Sequence, residues 1–130
     1  MKEGAVSNHT RRDFATIGPV WRNNVGALPD FGGRMVRYGL ANESKRENER
    51  IKSSDLIGIT PVQAYVASLG RWCSLGVFTA LETKHTGWTF DPSDPHSVAQ
   101  DRFHGIVRQA GGFAGFVTSP ADIAKIIIRG

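Results

Sequence analysis

What this chain lacks narrows its function first. Its single cysteine, Cys73, excludes a disulfide framework and a cysteine-rich zinc site. The longest unbroken apolar run, Ala64-Tyr65-Val66-Ala67, is four residues, far short of the roughly 18–20 that a membrane span needs. Met1-Lys2-Glu3-Gly4 has no apolar stretch behind its charge, so a signal peptide is not expected. The expected location is the cytoplasm, with no membrane partner. Internal repeats and low-complexity tracts are absent too. What remains is ordinary globular usage, 40% hydrophobic and 22% charged, which argues against wholesale disorder. With 130 residues, one domain is expected over 1–130.

Charge is unevenly spread. Residues 1–54 carry ten basic and six acidic side chains, whereas 55–130 carry six of each. The whole surplus of +4 therefore lies in the first 54 residues. A polyanion such as DNA or RNA would need such a basic surface, and a solvated face kept soluble by charge would show it equally.

Along the chain, residues 1–17 have only a weak apolar pattern (Val6, Phe14, Ile17), which supports at most a short or frayed helix. Strands are expected at Val20–Asn23 and, after the Pro29-Asp30-Phe31-Gly32-Gly33 turn, at Arg34–Leu40. Asn42 to Ser54 holds one apolar residue, Ile51, and reads as an exposed loop. Leu56-Ile57-Gly58-Ile59 reads as a short strand, Val62–Leu69 is ambiguous between helix and strand, and Gly76–Lys84 is the clearest strand. A helix begins at Pro95-His96-Ser97, with Ser97 a candidate N-cap. Its apolar face is Ala99, Phe103, Ile106, Val107 and Ala110, and Gly111-Gly112 ends it. Phe113–Thr118 is a further strand. Ser119-Pro120-Ala121-Asp122 reads as N-cap, first-turn proline and first-turn acid of a last helix to about Arg129. Four strands, helix, strand, helix is a mixed α/β order.

The chemistry concentrates at Glu82-Thr83-Lys84. Strand side chains alternate, so Glu82 and Lys84 point one way and Thr83 the other. An acid and an amine at the end of an apolar strand are costly in a purely structural sheet. Asp55 starts the preceding apolar run; if the two strands pair antiparallel, Asp55 and Glu82 share a corner. Two carboxylates suit Mg²⁺ or Mn²⁺, hard cations that keep water and substrate phosphate as other ligands, and the Thr83 backbone carbonyl could add one. Lys84 would orient the attacking water and balance charge at phosphorus. The implied reaction is metal-assisted phosphodiester hydrolysis. A D…E-x-K pattern also arises by chance, in which case these are surface charges at a strand end.

Further residues extend the pattern. Asp55, then Glu82-x-Lys84, then Gln100 with Phe103 three residues later, is the ordered signature of the PD-(D/E)XK nuclease superfamily. More narrowly, the chain resembles the VRR-NUC family, in particular its small stand-alone phage type. The stretches that carry the resemblance are Trp21–Ala27 (WRNNVGA), Arg34–Leu40 (RMVRYGL), Ser53–Gly58 (SSDLIG), Phe78–Lys84 (FTALETK) and Ala99–Gly112 (AQDRFHGIVRQAGG). It covers about residues 20–128 and implies an α/β, restriction-endonuclease-like mixed sheet flanked by helices. It also implies a Mg²⁺- or Mn²⁺-dependent homodimeric endonuclease for branched DNA, four-way junctions or flaps, in a bacterial or phage-infected cell. Carried over residue by residue, Asp55 and Glu82 would hold metal, Lys84 would be the catalytic lysine and Gln100 would support the centre. Ser54 stands where the superfamily's name has proline. Glu3 is the only glutamate in the opening segment and a candidate further ligand; Glu43, Glu47 and Glu49 fall in the charged loop, which resembles an insertion. The competing class is a DNA- or partner-binding module with little catalysis on the same fold.

Arg22, Asn23, Asn24, Arg34, Arg37, Lys45, Arg46, Arg50 and Lys52 are candidate DNA contacts, positioning the phosphate backbone without reading sequence. Singly, each also fits a turn or a solvated face. His104 shares a helical face with Gln100 and fits a packing or a surface role, while His9 and His96 carry no signal. Trp72 and Trp88 flank the Glu82 strand and are expected in the core or an interface. Cys73 is expected to be a buried or half-buried thiol without a role.

Overall fold

The structure is a computed structural model and describes residues 1–128. Its centre is a four-stranded mixed sheet in the order β1-β4-β5-β6, formed by β1 (Val20–Arg22), β4 (Leu56–Val66), β5 (Arg71–Thr83) and β6 (Phe113–Val117). The first three run antiparallel to their neighbours and β6 runs parallel to β5. A parallel neighbour requires a crossover, which α3 (Pro95–Gln109) supplies. A separate two-stranded sheet pairs β2 (Gly26–Pro29) with β3 (Met35–Tyr38).

Alternation along β5 sends successive residues to opposite covers. Leu81 packs with Leu56, Val117, Val6 and Phe14 of α1 (Glu3–Phe14) and Ile123 of α4 (Asp122–Ile126). Ala80 and Ala114 face the other way, toward Phe103 and Val107 of α3 and toward Ile51. Glycine is required at one point of close approach: a Cβ on Gly58 would lie 2.7 Å from the Phe14 ring and from the Pro19 carbonyl. Pro61 is tolerated within β4 because β1 ends opposite Gly58, leaving β4 a single neighbour there.

Several expectations need correction. The opening segment is a full helix of 12 residues, because Thr10 completes a buried stripe with Val6 and Phe14 at intervals of four. The Arg34–Leu40 strand exists as β3, but it pairs with β2, which sequence patterning did not reveal, and stays outside the main sheet. The charged loop contains α2 (Lys45–Arg50), capped by Ser44, whose Oγ accepts from the Glu47 N–H, while the Glu47 carboxylate reaches back to the Glu43 N–H. Nor is the loop wholly exposed, since Asn42, Ile51, Ser53 and Ser54 are buried. The ambiguous Val62–Leu69 continues β4 to Val66 and then turns. Asp94, not Ser97, caps α3; its carboxylate accepts from the backbone of His96 and Ser97. Ser119 does not cap the last helix. Asp122 instead gathers the Thr118 and Ser119 N–H groups, and Arg129, where that helix was expected to end, lies outside the described residues. Trp72 is exposed, not core. No described helix is long and apolar enough to cross a membrane.

Candidate active site

The antiparallel register Leu56↔Leu81 puts Asp55, just outside β4, opposite Glu82, so the shared corner expected of these residues forms. The Asp55 backbone N–H donates to Glu82 Oε2 at 3.0 Å. The Asp55 carboxylate in turn accepts from the Thr83 N–H at 3.2 Å and from the Thr83 hydroxyl at 2.8 Å. Thr83 thus enters the site as a donor that orients Asp55. Gln100, from α3, donates its amide to Glu82 Oε1 at 2.7 Å, and Lys84 Nζ stands 4.0 Å from the same oxygen. These five residues come from two strand ends and one helix, on segments 16 to 45 positions apart in sequence.

Burial gives the corner unusual electrostatics. Glu82 is only 3% exposed and Lys84 8%. Desolvation, followed by the neighbouring Asp55 charge, pushes the Glu82 carboxyl up to about 8 against the pull of Lys84. The Lys84 ammonium lies 5.4 Å from the Trp88 ring centroid and 6.0 Å from that of Phe116, so aromatic faces help to hold it. Trp88 itself packs on Phe116 at 4.7 Å.

Asp55, Glu82, Lys84 and Gln100 all border one open cavity of about 740 Å³. Glu3, at the start of α1, also borders it. Of the candidate DNA contacts, Asn23, Asn24, Arg37 and Lys52 line this cavity, and Arg22 lines an adjoining depression with Asp55 and Thr83. Asn23 is occupied structurally. Its amide donates to Ser53 Oγ and the Ser54 carbonyl, and its oxygen accepts from the Leu40 N–H. Arg37 donates to Asn42, and Lys52 to Asn48 at 2.6 Å. Arg34 sits at the exposed β2–β3 turn. Lys45 pairs with Glu49 on α2, and Arg46 and Arg50 face a different depression, so the structure does not bring these three to the cavity.

Sequence reasoning missed His96. It borders the cavity, and Gln100 Nε2 lies 3.3 Å from its Nε2. The available signal was its spacing of four from Gln100, which puts both on one helical face. The next residue of that stripe, His104, is fully buried against Ser54 Oγ at 2.9 Å and packs on Phe116. Of the packing and surface roles open to it, the structure shows packing, and burial depresses its pKa to about 3.

Among the described residues no group of three His, Cys, Asp or Glu side chains forms a complete metal cage. A hard divalent cation does not require one, because it binds through one or two carboxylates plus water and substrate phosphate. The donor set fits that chemistry. Glu82, beside the Asp55 carboxylate, lacks full charge compensation, and the buried Gln100 Oε1 next to it has no hydrogen-bond partner. No family model matches the chain, and no curated protein or solved structure matches it significantly.

Proposed function

We propose that this protein is a Mg²⁺- or Mn²⁺-dependent DNA endonuclease of VRR-NUC type, on a restriction-endonuclease-like version of its mixed α/β fold. The observation that carries the reading is the corner of half-buried Asp55 with buried Glu82, Lys84 and Gln100, opening on a cavity with basic residues in its wall. A structural sheet gains nothing from a carboxylate held at 3% exposure beside a second carboxylate, because Glu82 is desolvated without full compensation. Perturbed groups of this kind concentrate where chemistry is done.

In this reading Asp55 and Glu82 hold the cation, which when bound supplies positive charge against the phosphoryl oxygens. Thr83 fixes the rotamer of Asp55, and Gln100 fixes that of Glu82. Lys84, steadied by Trp88 and Phe116, faces the developing charge at phosphorus and orients the water that attacks it. Arg37 and Lys52 meet flanking phosphates from the cavity wall. Hydrolysis adds water across one P–O bond. The substrate is branched DNA, and a homodimer would offer two centres for paired cuts in a junction.

The test is cleavage of a four-way junction, a flap and plain duplex in Mg²⁺, Mn²⁺ or EDTA, beside Lys84→Ala. The expected result is metal-dependent cleavage that Lys84→Ala lowers by about 10²–10³-fold. No cleavage in either metal, or equal cleavage by the variant, overturns the reading. Light scattering of the free protein tests the dimer, and a monomeric mass rejects it.

A further inference from the structure

The β2–β3 hairpin exposes more apolar surface than a detached two-stranded sheet should. Leu28, Phe31, Met35 and Val36 are all exposed, and Phe31, at the tip, is as open to solvent as a side chain can be. Yet the tip is well built. The Asp30 carboxylate accepts from the backbone N–H groups of Gly32 and Arg34, and backbone bonds link Asp30 to Gly33 and Arg34. Gly33, at φ +80°, takes the left-handed conformation that the turn needs.

The root is equally firm. Asn42, buried, donates to the Gly26 and Tyr38 carbonyls and accepts from Arg37. Asn23 ties the neighbouring Leu40 to Ser53 and Ser54, the two residues before Asp55. The arm is therefore mounted on the segment that carries the first carboxylate. One of its faces continues the wall of the cavity: Ala27 and Arg37 line it, and their register neighbours Pro29 and Met35 extend that face toward the tip.

We propose that this hairpin is the element that recognises a DNA branch, with Phe31 stacking on a base at the point where the duplex is interrupted. The inference rests on the nuclease reading and supplies its source of structure selectivity. Inserting an aromatic side chain into continuous duplex costs unstacking energy, and that cost is least where a base is already unstacked. Nucleic acid is the occupant favoured by the charge along the path. Arg34 at the tip and Arg37 near the root give the arm positive charge at both ends, and its root borders the carboxylate cavity.

The experiment measures single-turnover cleavage of a four-way junction and of matched continuous duplex in Mn²⁺. In parallel, fluorescence of a junction with 2-aminopurine at the branch is followed on binding in EDTA. Phe31→Ala is compared with Phe31→Trp and with Trp72→Ala, an exposed aromatic at the far end of β4–β5. Phe31→Ala is expected to lower the junction-to-duplex ratio about tenfold and to abolish the fluorescence change, which Phe31→Trp restores. Trp72→Ala leaves both unchanged. An unchanged ratio for Phe31→Ala, an equal loss for Trp72→Ala, or conversion of a dimer to a monomer by Phe31→Ala overturns the proposal. If no metal supports cleavage but the Phe31-dependent fluorescence change persists, the nuclease reading fails and the arm remains a branch-binding element.

Discussion

The two ends of the β4–β5 ladder invert the usual rule for what a protein buries. At one end Glu82, Thr83 and Lys84 are buried; at the other Tyr65, Leu69 and Trp72 are exposed, Trp72 at 68%. The strands are the same, so the difference lies in what covers them. α1, α3 and β6 pack on the charged end, whereas at the far end Tyr65 and Trp72 meet each other edge to face, with centroids 5.9 Å apart. Burial follows the cover and not the residue type. Polar groups kept beneath a cover cost stability unless each finds a partner. Here Asp55, Thr83 and Gln100 supply partners for that corner, and the raised pKa of Glu82 shows that compensation is incomplete.

The contrast is broken most sharply by truncating one residue at each end. Leu81→Ala should destabilise by about 2–5 kcal/mol in urea unfolding, because a fully buried side chain leaves a cavity. Trp72→Ala should change stability by no more than about 0.5 kcal/mol. Comparable losses would mean that the far end is covered in solution.

Glu82→Gln sharpens the charged end. In EDTA at pH 8 the variant should be more stable by about 1–3 kcal/mol, because it removes a buried carboxylate that resists ionisation. It should also lose metal-dependent cleavage. Loss of stability instead would mean that the ionised carboxylate stabilises the fold.

The pH dependence of metal-free stability carries two opposed limbs. Glu82 titrates near 8 in the native state against an ordinary 4.5, so its stabilisation is complete below 4.5 and lost as pH rises through 8. His104 titrates near 3 against an ordinary 6.5, so its stabilisation is present above 6.5 and lost as pH falls toward 3. Each limb slopes by up to about 1.4 kcal/mol per pH unit, and they cancel where both act. Urea unfolding should therefore show greatest stability between about pH 4.5 and 6.5. Glu82→Gln should flatten the alkaline limb alone and leave the acid limb. Mg²⁺ or Mn²⁺ should oppose the alkaline loss; no effect of either ion at pH 8 would count against the metal site.

The smallest expected effect on cleavage within the site is at Trp88. Trp88→Leu removes one aromatic face from the Lys84 ammonium, worth about 0.5–1 kcal/mol, and should slow single-turnover cleavage about two- to fivefold at unchanged stability. A loss as large as that of Lys84→Ala would mean that Trp88 contacts the DNA itself.

Much of the site was legible because strand alternation and helix spacing are local rules. Alternation puts Glu82 and Lys84 on one face, and the family resemblance adds Gln100 on the following helix. The full length of the opening helix was not legible, because its buried stripe includes Thr10, whose type gives no sign of burial, and α2 was obscured by charge despite the Ser44…Glu47 cap. Asn23, read as a candidate DNA contact, borders the cavity and also ties the hairpin root to the segment before β4. No local pattern distinguishes an asparagine that binds phosphate from one that satisfies buried backbone.

By itself the sequence determined which chemistry is present: an acid opening one apolar run, an acid–lysine pair closing another, and an amide on a following helix. Periodicity is a property of neighbouring residues, so it can be read along the chain. Only the tertiary structure decided that Lys52, Arg37 and His96 share a cavity with Asp55, that Trp72 lies open while Glu82 is covered, and that Phe31 stands on a rigid arm rooted beside the carboxylates. Those outcomes depend on strand register and on which helix covers which face. Both are settled by contacts between residues far apart in the chain.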